Sequence, residues 1–327
     1  MQIKSGTKVL VVGGAGFIGS NLILKLLSLG ADVSGTLHKK KAQVTDSRIN
    51  YIQVDLMLAA DCRRAVEGQE LVFMCAANTS GADVMAKTPL VHVTPNVIMN
   101  SLVLEASYQA QVKKFVFISS SAAYPDIGDE PVVESQMFEG DPPDVYYPVG
   151  WMKRYSEILC RMYSEKIKQP MQTVVVRPSN MFGPYDDYDF KTSHMMAALI
   201  RRCVDRHNPF VVWGTGEDIR DLLYIDDFIE GMLAAVEKLS NYEPINIAMG
   251  KTYSIKEIVQ LILAEDDYDI DLEFDASKPS MLSKRYISTA LAEKKLGFKY
   301  STDLKTGIKK TLQWYRQHNK MAKVVEA

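Results

Sequence analysis

Short runs of apolar residues recur through the first half of the chain, and several are followed by a segment with helical spacing. The first run covers residues 9–12, and residues 21–29 then repeat apolar side chains every three or four positions up to Gly30. Uninterrupted apolar runs are typical of strands that are buried on both faces of a parallel sheet. The same alternation predicts strands at 32–37, 49–54, 71–75, 115–118 and 173–176, and helices at 95–109 and 151–168. It therefore predicts an α/β fold with a doubly wound parallel sheet.

The strict alternation ends near residue 178. The elements predicted beyond it are strands at 210–213, 219–225, 246–248 and 272–274 and helices at 193–206, 226–239, 254–263, 291–296 and 304–318. We expect two domains: residues 1–178 and a smaller C-terminal α/β lobe at 179–327, with segments at about 210–250 returning to the first domain. We also expect a homodimer, in which the helices at 95–110 and 151–168 pair with their copies as a four-helix bundle.

A glycine-rich turn joins the first strand to the first helix. Gly13, Gly16 and Gly19 are spaced Gly-x-x-Gly-x-x-Gly. In a strand–turn–helix unit the first glycine permits the tight turn, the second lets the backbone approach a pyrophosphate, and the third lets helix and strand pack closely. The N–H groups at the start of the helix then bind the phosphates. The turn therefore predicts dinucleotide binding and a Rossmann-type first domain.

Composition and charge exclude several classes of protein. Of 327 residues, 47% are hydrophobic and the net charge is -2, which argues against nucleic-acid binding because that needs a basic excess. We find no signal peptide and no apolar run of membrane-spanning length. The cysteines form no CxxC pair and the histidines show no metal-ligand spacing, so we expect reduced thiols, a cytoplasmic protein and no metal.

The end of the second predicted strand bears on the cofactor. An acidic residue at this place binds the ribose 2′-hydroxyl in NAD sites. Here Leu37 is followed by His38, Lys39, Lys40 and Lys41. Cations without a carboxylate favour the 2′-phosphate of NADP, with NAD as the alternative. A solvated lysine run is the other interpretation of these residues.

Taken together, the motifs resemble the extended short-chain dehydrogenases/reductases, which include nucleotide-sugar epimerases, dehydratases and reductases. The resemblance spans roughly residues 7 to 315. In the C-terminal part it is greatest to the GDP-L-fucose synthases within that family. The motifs that carry it are the glycine turn 13–19, Asp55-Leu56, Ala76-Ala77, Ser119-Ser120-Ser121 with Tyr124-Pro125, Lys153, 177–184, Ser193-His194, Arg201-Arg202, 213–216 and 220–227.

The resemblance implies hydride transfer between NADP(H) and a nucleotide sugar of the 4-keto-6-deoxy type. It implies Ser120, Lys153 and His194 as catalytic residues. In this arrangement Ser120 forms a hydrogen bond with the sugar oxygen, and Lys153 binds the nicotinamide ribose. The implied cofactor-binding residues are Gly13, Gly16, Phe17, Ile18, Gly19, His38, Lys39, Asp55, Leu56, Ala76, Ala77 and Lys153. The implied substrate-binding residues are Ser121, Asn180, Arg202, Trp213 and Arg220.

Two positions depart from the family pattern. Val149 occupies the place of the tyrosine in the family's Tyr-x-x-x-Lys pair, and valine has no proton to transfer. Three explanations are open: the tyrosine has been replaced to trap a ligand, a neighbouring tyrosine such as Tyr146 or Tyr147 substitutes for it, or the protein binds cofactor without turnover. Ala122 occupies the place of the family's epimerisation cysteine, which puts epimerisation at two carbons in doubt.

These departures leave alternatives to the reductase or epimerase. One is an NAD-dependent nucleotide-sugar 4-epimerase, and another is a cofactor-binding pseudoenzyme. Single residues also have structural alternatives. His194 could be a histidine at a helix N-terminus that the backbone satisfies, Arg202 could lie on a solvated helix face, and Arg220 could pair with Asp221. For Asn180 the alternative is a turn asparagine.

Overall fold

The computed structural model describes residues 1–79, 88–278 and 282–322. Its strands are β1 Lys8–Val12, β2 Asp32–Leu37, β3 Ile49–Gln53, β4 Leu71–Met74, β5 Lys114–Ile118, β6 Gln172–Pro178, β7 Asn180–Phe182, β8 Phe210–Trp213, β9 Ile219–Tyr224, β10 Pro244–Ile247, β11 Thr252–Ser254, β12 Leu272–Asp275 and β13 Lys284–Arg285. Its helices are α1 Phe17–Ser28, α2 Ala59–Val66, α3 Thr94–Gln109, α4 Tyr147–Glu165, α5 Met195–Val204, α6 Ile225–Lys238, α7 Ile255–Glu265, α8 Ala290–Leu296 and α9 Leu304–Ala322.

Seven of these strands form one parallel sheet in the order β3-β2-β1-β4-β5-β6-β10. Val9 of β1 pairs with Val33 of β2 on one side and with Leu71 of β4 on the other. The direction of winding reverses between β1 and β4, and ligands of open α/β sheets bind at such a switch point, outside the carboxyl ends of the strands. The fold is the Rossmann-type doubly wound sheet that the sequence predicts.

Side chains of β1 alternate between two hydrophobic cores, one on each face of the sheet. Val9 and Val11 belong to the core that includes α1 and α6, and Leu10 and Val12 belong to the core that includes α2, α3 and α4. All four are completely buried. A strand covered on both faces needs apolar residues at every position, which explains the uninterrupted run in the sequence.

The C-terminal half contributes to two smaller sheets and to the main one. β9 lies between β11 and β13 and also pairs with β7, while β8 pairs with β12. The strand β10 joins the main sheet beside β6, and α6 packs against α1. The chain thus returns to the main sheet after the segment that holds β8 and β9.

Several boundaries differ from those predicted. The helix expected at 151–168 is α4, which begins four residues earlier because Pro148 occupies its first turn, where proline needs no N–H acceptor. The first helix likewise begins at Phe17 rather than at residue 21. Among the described helices none combines the length and apolar character needed to cross a membrane.

Candidate active site

The glycine turn lies at the carboxyl edge of the main sheet, between β1 and α1. Gly13 has a φ of 87°, and a Cβ on it would lie 2.7 Å from backbone atoms of Ala76. A Cβ on Gly19 would lie 2.2 Å from the Gly13 carbonyl oxygen. Glycine is therefore required at both positions for the turn, α1 and the end of β4 to approach this closely.

The first turn of α1 is shaped to accept an anion. Gly16 is the N-cap, and within the described chain no side chain caps the helix there. The nearest atom to a Cβ on Gly16 would be the Gly13 carbonyl oxygen, at 3.4 Å. Phe17 and Ile18 begin the helix and are half-buried. Uncapped N–H groups and the positive end of the helix dipole fit the pyrophosphate of a dinucleotide.

The segment that follows β2 folds back towards the glycine turn. Thr36 Oγ1 accepts the Gly13 N–H at 2.8 Å, and Gln43 Nε2 donates to the Ala15 carbonyl at 2.9 Å. His38 and Lys39 lie between these anchors and are exposed. The basic residues that follow β2 therefore lie at the same edge of the sheet as the glycine turn.

The ends of β3 and β4 complete this edge. Asp55 accepts the Met57 N–H at 2.9 Å, and its own N–H donates to Asp61 at 2.8 Å. These bonds hold the turn in which Leu56 is buried. After β4, Ala76 is half-buried and the neighbouring Ala77 is exposed.

The predicted catalytic serine and lysine meet at the end of β5. Lys153, on α4, donates its Nζ hydrogen to the Ile118 carbonyl at 2.8 Å, two residues before Ser120. Ser120 Oγ accepts the Ala122 N–H at 3.1 Å and caps a short 3₁₀ helix. Val149 lies one helical turn before Lys153 on α4, so both point to the same side of the helix.

Burial makes the charged form of Lys153 less stable than that of a solvent-exposed lysine. Burial lowers the pKa of Lys153 to about 8, and the nearby Glu157 carboxylate opposes this shift. The Nζ atom also lies 5.1 Å from the centre of the Phe117 ring. An ammonium in such a site titrates close to neutral pH.

The other predicted residues around this point occupy different elements. Ser121 is buried in the 3₁₀ helix Ser121–Ala123. Asn180 is the exposed first residue of β7. His194 is the N-cap of α5, but its side chain makes no capping bond within the described residues. Although this imidazole reaches solvent, the surrounding protein lowers its pKa, with the Asp187 carboxylate opposing the shift.

Arg202 and Trp213 lie near each other along α5 and β8. The Arg202 guanidinium donates to the carbonyl of Val211 on β8 and lies 5.8 Å from the centre of the Phe190 ring. Trp213 at the end of β8 is 43% exposed, which leaves an indole face available for stacking. Arg202 is therefore partly engaged with the protein and does not lie on a freely solvated helix face.

Arg220 does not pair with Asp221, the structural alternative considered for it. Asp221 points away and accepts the N–H groups of Met249 and Gly250 at 3.1 and 2.9 Å. The Arg220 guanidinium instead donates to the Leu282 carbonyl at 2.7 Å and lies 3.3 Å from Asp218. These contacts hold the guanidinium group of Arg220 beside β9.

Arg285 is a further basic residue that the sequence analysis missed. It is paired in register with Arg220 across β13 and β9. Its side chain is buried, Nη1 donates to the Pro125 carbonyl at 3.3 Å, and Nη2 has no partner in the described chain. Burial lowers the pKa of Arg285, which the phenol of Tyr146 partly offsets. Two adjacent arginines with an unsatisfied buried donor fit a diphosphate.

A buried network holds the segment that follows β5. Arg177 pairs with Glu157 at 2.6 Å and donates to the Tyr124 hydroxyl at 2.9 Å. The hydroxyl in turn donates to Asn246 of β10 at 2.7 Å. The network fixes the chain just beyond Ser120, and it explains why Tyr124 accompanies the serines in the motif.

The described residues contain no group of acidic, cysteine and histidine side chains that could hold a metal.

Relatives of known name match almost the whole chain. A protein of Oryza sativa subsp. japonica named "Probable GDP-L-fucose synthase 1" is 27% identical over 317 residues, which cover 95% of this chain and 92% of the relative. The GDP-L-fucose synthase of Escherichia coli K12 is 27% identical over 328 residues, covering 96% and 98%. A GDP-mannose 3,5-epimerase of Oryza sativa subsp. japonica is also 27% identical, over 95% of this chain and 82% of the relative.

Solved structures of nucleotide-sugar epimerases share the fold. The UDP-glucose 4-epimerase of Thermotoga maritima, in complex with UDP-glucose, has a TM-score of 0.86 at 25% identity and covers 95% of this chain and 99% of its own. The UDP-glucuronic acid 4-epimerase of Bacillus cereus, in complex with UDP-glucuronic acid and NAD, has a TM-score of 0.82 at 26% identity, with coverage of 95% and 99%.

A third structure shows the same fold with the other nicotinamide cofactor. It is the GDP-L-fucose synthetase of Naegleria fowleri bound to NADP, with a TM-score of 0.79 at 24% identity and coverage of 98% and 97%. The family model described as "NAD dependent epimerase/dehydratase family" matches residues 9–248. The chain belongs to this family.

Proposed function

We propose that the protein is an NADP-dependent nucleotide-sugar reductase or epimerase. The observation that carries the proposal is the hydrogen bond from Lys153 to the end of β5. It places the ammonium beside Ser120, at the same carboxyl edge of the sheet as the glycine turn. When bound, the nicotinamide supplies or accepts a hydride. Ser120 then holds the reacting sugar oxygen, and the Lys153 ammonium holds the ribose and stabilises negative charge in the transition state.

The proposed cofactor-binding residues lie at the glycine turn and at the ends of β2, β3 and β4. The uncapped start of α1 binds the pyrophosphate, and Gly16 lets it approach. Asp55 and Leu56 line the adenine, and Ala76 and Ala77 leave room for the ring beside them. We propose that His38 and Lys39 bind the 2′-phosphate of NADP, since β2 ends without a carboxylate.

The substrate is proposed to be a nucleoside-diphosphate sugar. The names of the relatives favour a GDP-linked sugar, and the motif resemblance favours one of the 4-keto-6-deoxy type. Arg220 and Arg285 hold the diphosphate, because together they offer two guanidinium forks at one side of β9. Trp213 and Arg202 border the base. Ser121, Asn180 and His194 border the sugar.

Three further features belong to the proposal. The four cysteines are free thiols, which fits the reducing cytoplasm. The exposed face of α4 fits a homodimer formed by α3 and α4 and their copies. The N-terminal domain is proposed to end near residue 178, with β10 and α6 as the returning segments.

A second candidate function is a cofactor-binding protein without turnover. Val149 and Ala122 favour it, because both replace side chains that would exchange protons. An NAD-dependent 4-epimerase is a third candidate, and it would differ from a reductase in keeping its cofactor tightly bound through the cycle.

The deciding experiment mixes the protein with NADPH or NADH and a panel of nucleotide sugars, including 4-keto-6-deoxy forms, and follows the absorbance of the reduced nicotinamide. Oxidation of the cofactor or interconversion of the sugar supports the proposal. If neither this chain nor its Val149→Tyr variant turns over any sugar, the enzyme proposal is wrong.

The arginine pair has its own test. Arg285→Met should raise KM for the nucleotide sugar about 10- to 100-fold, as expected for one charge-assisted hydrogen bond, with little change in kcat. Lys284→Met is the matched control, since Lys284 pairs with Asp129 at the neighbouring position. Equal KM values for the two variants would remove Arg285 from the diphosphate site.

A further inference from the structure

His92 carries a buried nitrogen that has no hydrogen-bond partner among the described residues. The side chain is 3% exposed and lies at the end of the 3₁₀ helix Pro89–His92, just before α3. Its Nδ1 atom lies 3.2 Å from the Asn78 carbonyl oxygen. Its Nε2 atom finds no hydrogen-bond partner in the described part of the chain. Buried polar atoms in native proteins are nearly always paired, so this atom needs an explanation.

The bond at Nδ1 settles which nitrogen carries the proton. A carbonyl oxygen can only accept, so Nδ1 must be the donor. In the neutral ring Nε2 then bears the lone pair. It is the nitrogen that can gain a proton and lose it again, while Nδ1–H keeps the ring oriented.

The segment that orients His92 is held firmly and belongs to the proposed cofactor edge. Asn96 of α3 accepts the Asn78 N–H at 2.7 Å and donates to the carbonyls of Asn78 and His92 at 2.9 and 2.7 Å. Asn78 directly follows Ala76 and Ala77. The imidazole is thus tied to the chain that leaves β4 at the switch point of the sheet.

The other neighbours of His92 belong to the proposed sugar site. The 3₁₀ helix that ends in His92 packs against α4, the helix that carries Val149 and Lys153. His92 also lies within electrostatic range of His194, at the start of α5. The imidazole is therefore near the end of β4, α4 and the start of α5, which are the elements that surround the reacting carbon in the proposed function.

The tyrosines next to Val149 are placed less well for proton transfer. Tyr147 is 47% exposed and packs edge-on against Trp151 on the outer side of α4. Tyr146 interacts with Arg220 and Arg285, which places its phenol beside the proposed diphosphate site. His92 differs from both because it is buried, is anchored at Nδ1 and has no partner for Nε2 among the described residues.

We propose that His92 Nε2 exchanges the proton with the reacting sugar oxygen and so replaces the phenol that Val149 lacks. This inference rests on the proposed function. In the direction of reduction, Nε2 first takes a proton from water, so that both ring nitrogens carry hydrogen. The sugar carbonyl carbon would then accept a hydride from the reduced nicotinamide as its oxygen takes the Nε2 proton. The C=O π bond breaks, new C–H and O–H bonds form, and the sugar is reduced as the nicotinamide is oxidised. The neutral imidazole then regains a proton from water. In oxidation Nε2 takes the hydroxyl proton.

The test is a double-mutant cycle between His92→Asn and Val149→Tyr. Asparagine keeps a donor for the Asn78 carbonyl at the place of Nδ1 and removes Nε2. His92→Asn alone should lower kcat by about 10²–10⁴-fold, the usual contribution of one positioned acid or base, with little change in nucleotide-sugar affinity. In the Val149→Tyr background the same change should cost less than about threefold, because the phenol supplies the proton instead.

A structural role for His92 predicts equal losses in both backgrounds, and that result would overturn the proposal. So would full activity of His92→Asn, or a loss of turnover in Tyr146→Phe with His92→Asn unaffected. If the unaltered chain is inactive and Val149→Tyr is active, His92 does not supply the proton, although the nucleotide-sugar and cofactor sites of the proposed function are then intact. If both are inactive, the proposed function itself fails, and this inference fails with it.

A readout independent of turnover comes from NMR of the ¹⁵N-labelled imidazoles. The free protein should show His92 with its hydrogen on Nδ1, and the Nε2 resonance should shift when the oxidised cofactor and a nucleotide sugar are both bound. His207→Asn should leave the His92 resonances unchanged and serves as the assignment control, because His207 is exposed near α5. An Nε2 resonance that is unchanged by saturating nucleotide sugar would contradict contact with the substrate.

Discussion

At the scale of single residues, Lys153 joins an unusual pKa to a proposed contact with the cofactor. Its ammonium is protonated below pH 8 and becomes neutral above it, because burial lowers its pKa to about 8. If the ammonium binds the cofactor ribose, affinity must fall as the proton is lost. We expect Kd for NADPH to be constant between pH 7 and the pKa, and then to rise up to about tenfold per pH unit. Calorimetry over this range measures it.

The control for this prediction is Lys153→Arg. A guanidinium stays protonated throughout this range, so the variant should bind NADPH with an affinity that does not depend on pH. A Kd that rises identically in both proteins would assign the titration to another group.

Leu37 is the residue on which cofactor preference should depend. Leu37→Asp places a carboxylate at the end of β2, where it can accept the 2′-hydroxyl of NAD and repel the 2′-phosphate of NADP. We expect the unaltered protein to bind NADPH more tightly than NADH and the variant to reverse that order. Separate calorimetric titrations with both cofactors measure the change.

Leu37→Asn has nearly the same shape without the charge and should leave most of the NADPH preference in place. Equal affinities for the two cofactors in the unaltered protein would show that Lys39 and its neighbours are merely solvated.

How well a site residue could be predicted depends on how far apart in the sequence the members of the site lie. Ser120 and Lys153 could be placed because each belongs to a local motif, and Lys153 does reach the end of β5. Arg285 could not be found this way, since its significance comes from pairing in register with Arg220, 65 positions earlier. His92 gave no signal either, because a single histidine before a helix is ordinary until the bonding of its two nitrogens is known.

At the scale of elements, the glycine turn joins β1, α1 and the end of β4, and its glycines have different tasks. Gly19→Ala would place a Cβ 2.2 Å from a carbonyl oxygen, so the turn must shift. We expect it to destabilise the fold by about 1–3 kcal/mol, the usual range for overpacking, and to abolish NADPH binding. Thermal unfolding and calorimetry test both effects.

Gly16→Ala separates binding from folding. Its Cβ would make an ordinary contact at 3.4 Å, so the melting temperature should change little. The methyl group nevertheless projects where the pyrophosphate approaches, and NADPH affinity should fall at least about tenfold. Unchanged affinity would mean that the phosphates do not approach the turn at Gly16.

Elements with a strong period were predictable, and those that depend on partners were not. The buried strands β1, β4, β5 and β6 appear in the sequence as apolar runs. The strands β7, β11 and β13 have two or three residues each, too few for any period, and they form because β9 offers its edges. The early start of α4 was missed because Pro148 normally ends helices, whereas in a first turn it begins one.

At the scale of the whole molecule, the helices α2, α3 and α4 cover one face of the sheet, yet α4 leaves an apolar stripe uncovered. Its members recur every three or four positions along one side of the helix and are 38–48% exposed: Tyr147, Trp151, Tyr155, Ile158 and Met162. A contiguous stripe of this kind is typical of an interface. The neighbouring α3 packs against α4, so a copy of the chain could bury both helices together.

The dimer prediction can be tested at the middle of this stripe. Trp151→Lys introduces a charge where two copies of α4 would meet, and burying an unpaired charge costs far more than an indole contact contributes. Light scattering after size-exclusion chromatography should give twice the chain mass of 36.7 kDa for the unaltered protein and the single mass for the variant. Leu24→Lys, an equally exposed apolar residue on α1, should remain dimeric. A monomeric unaltered protein would contradict the dimer, and dissociation by Leu24→Lys alone would move the interface to α1.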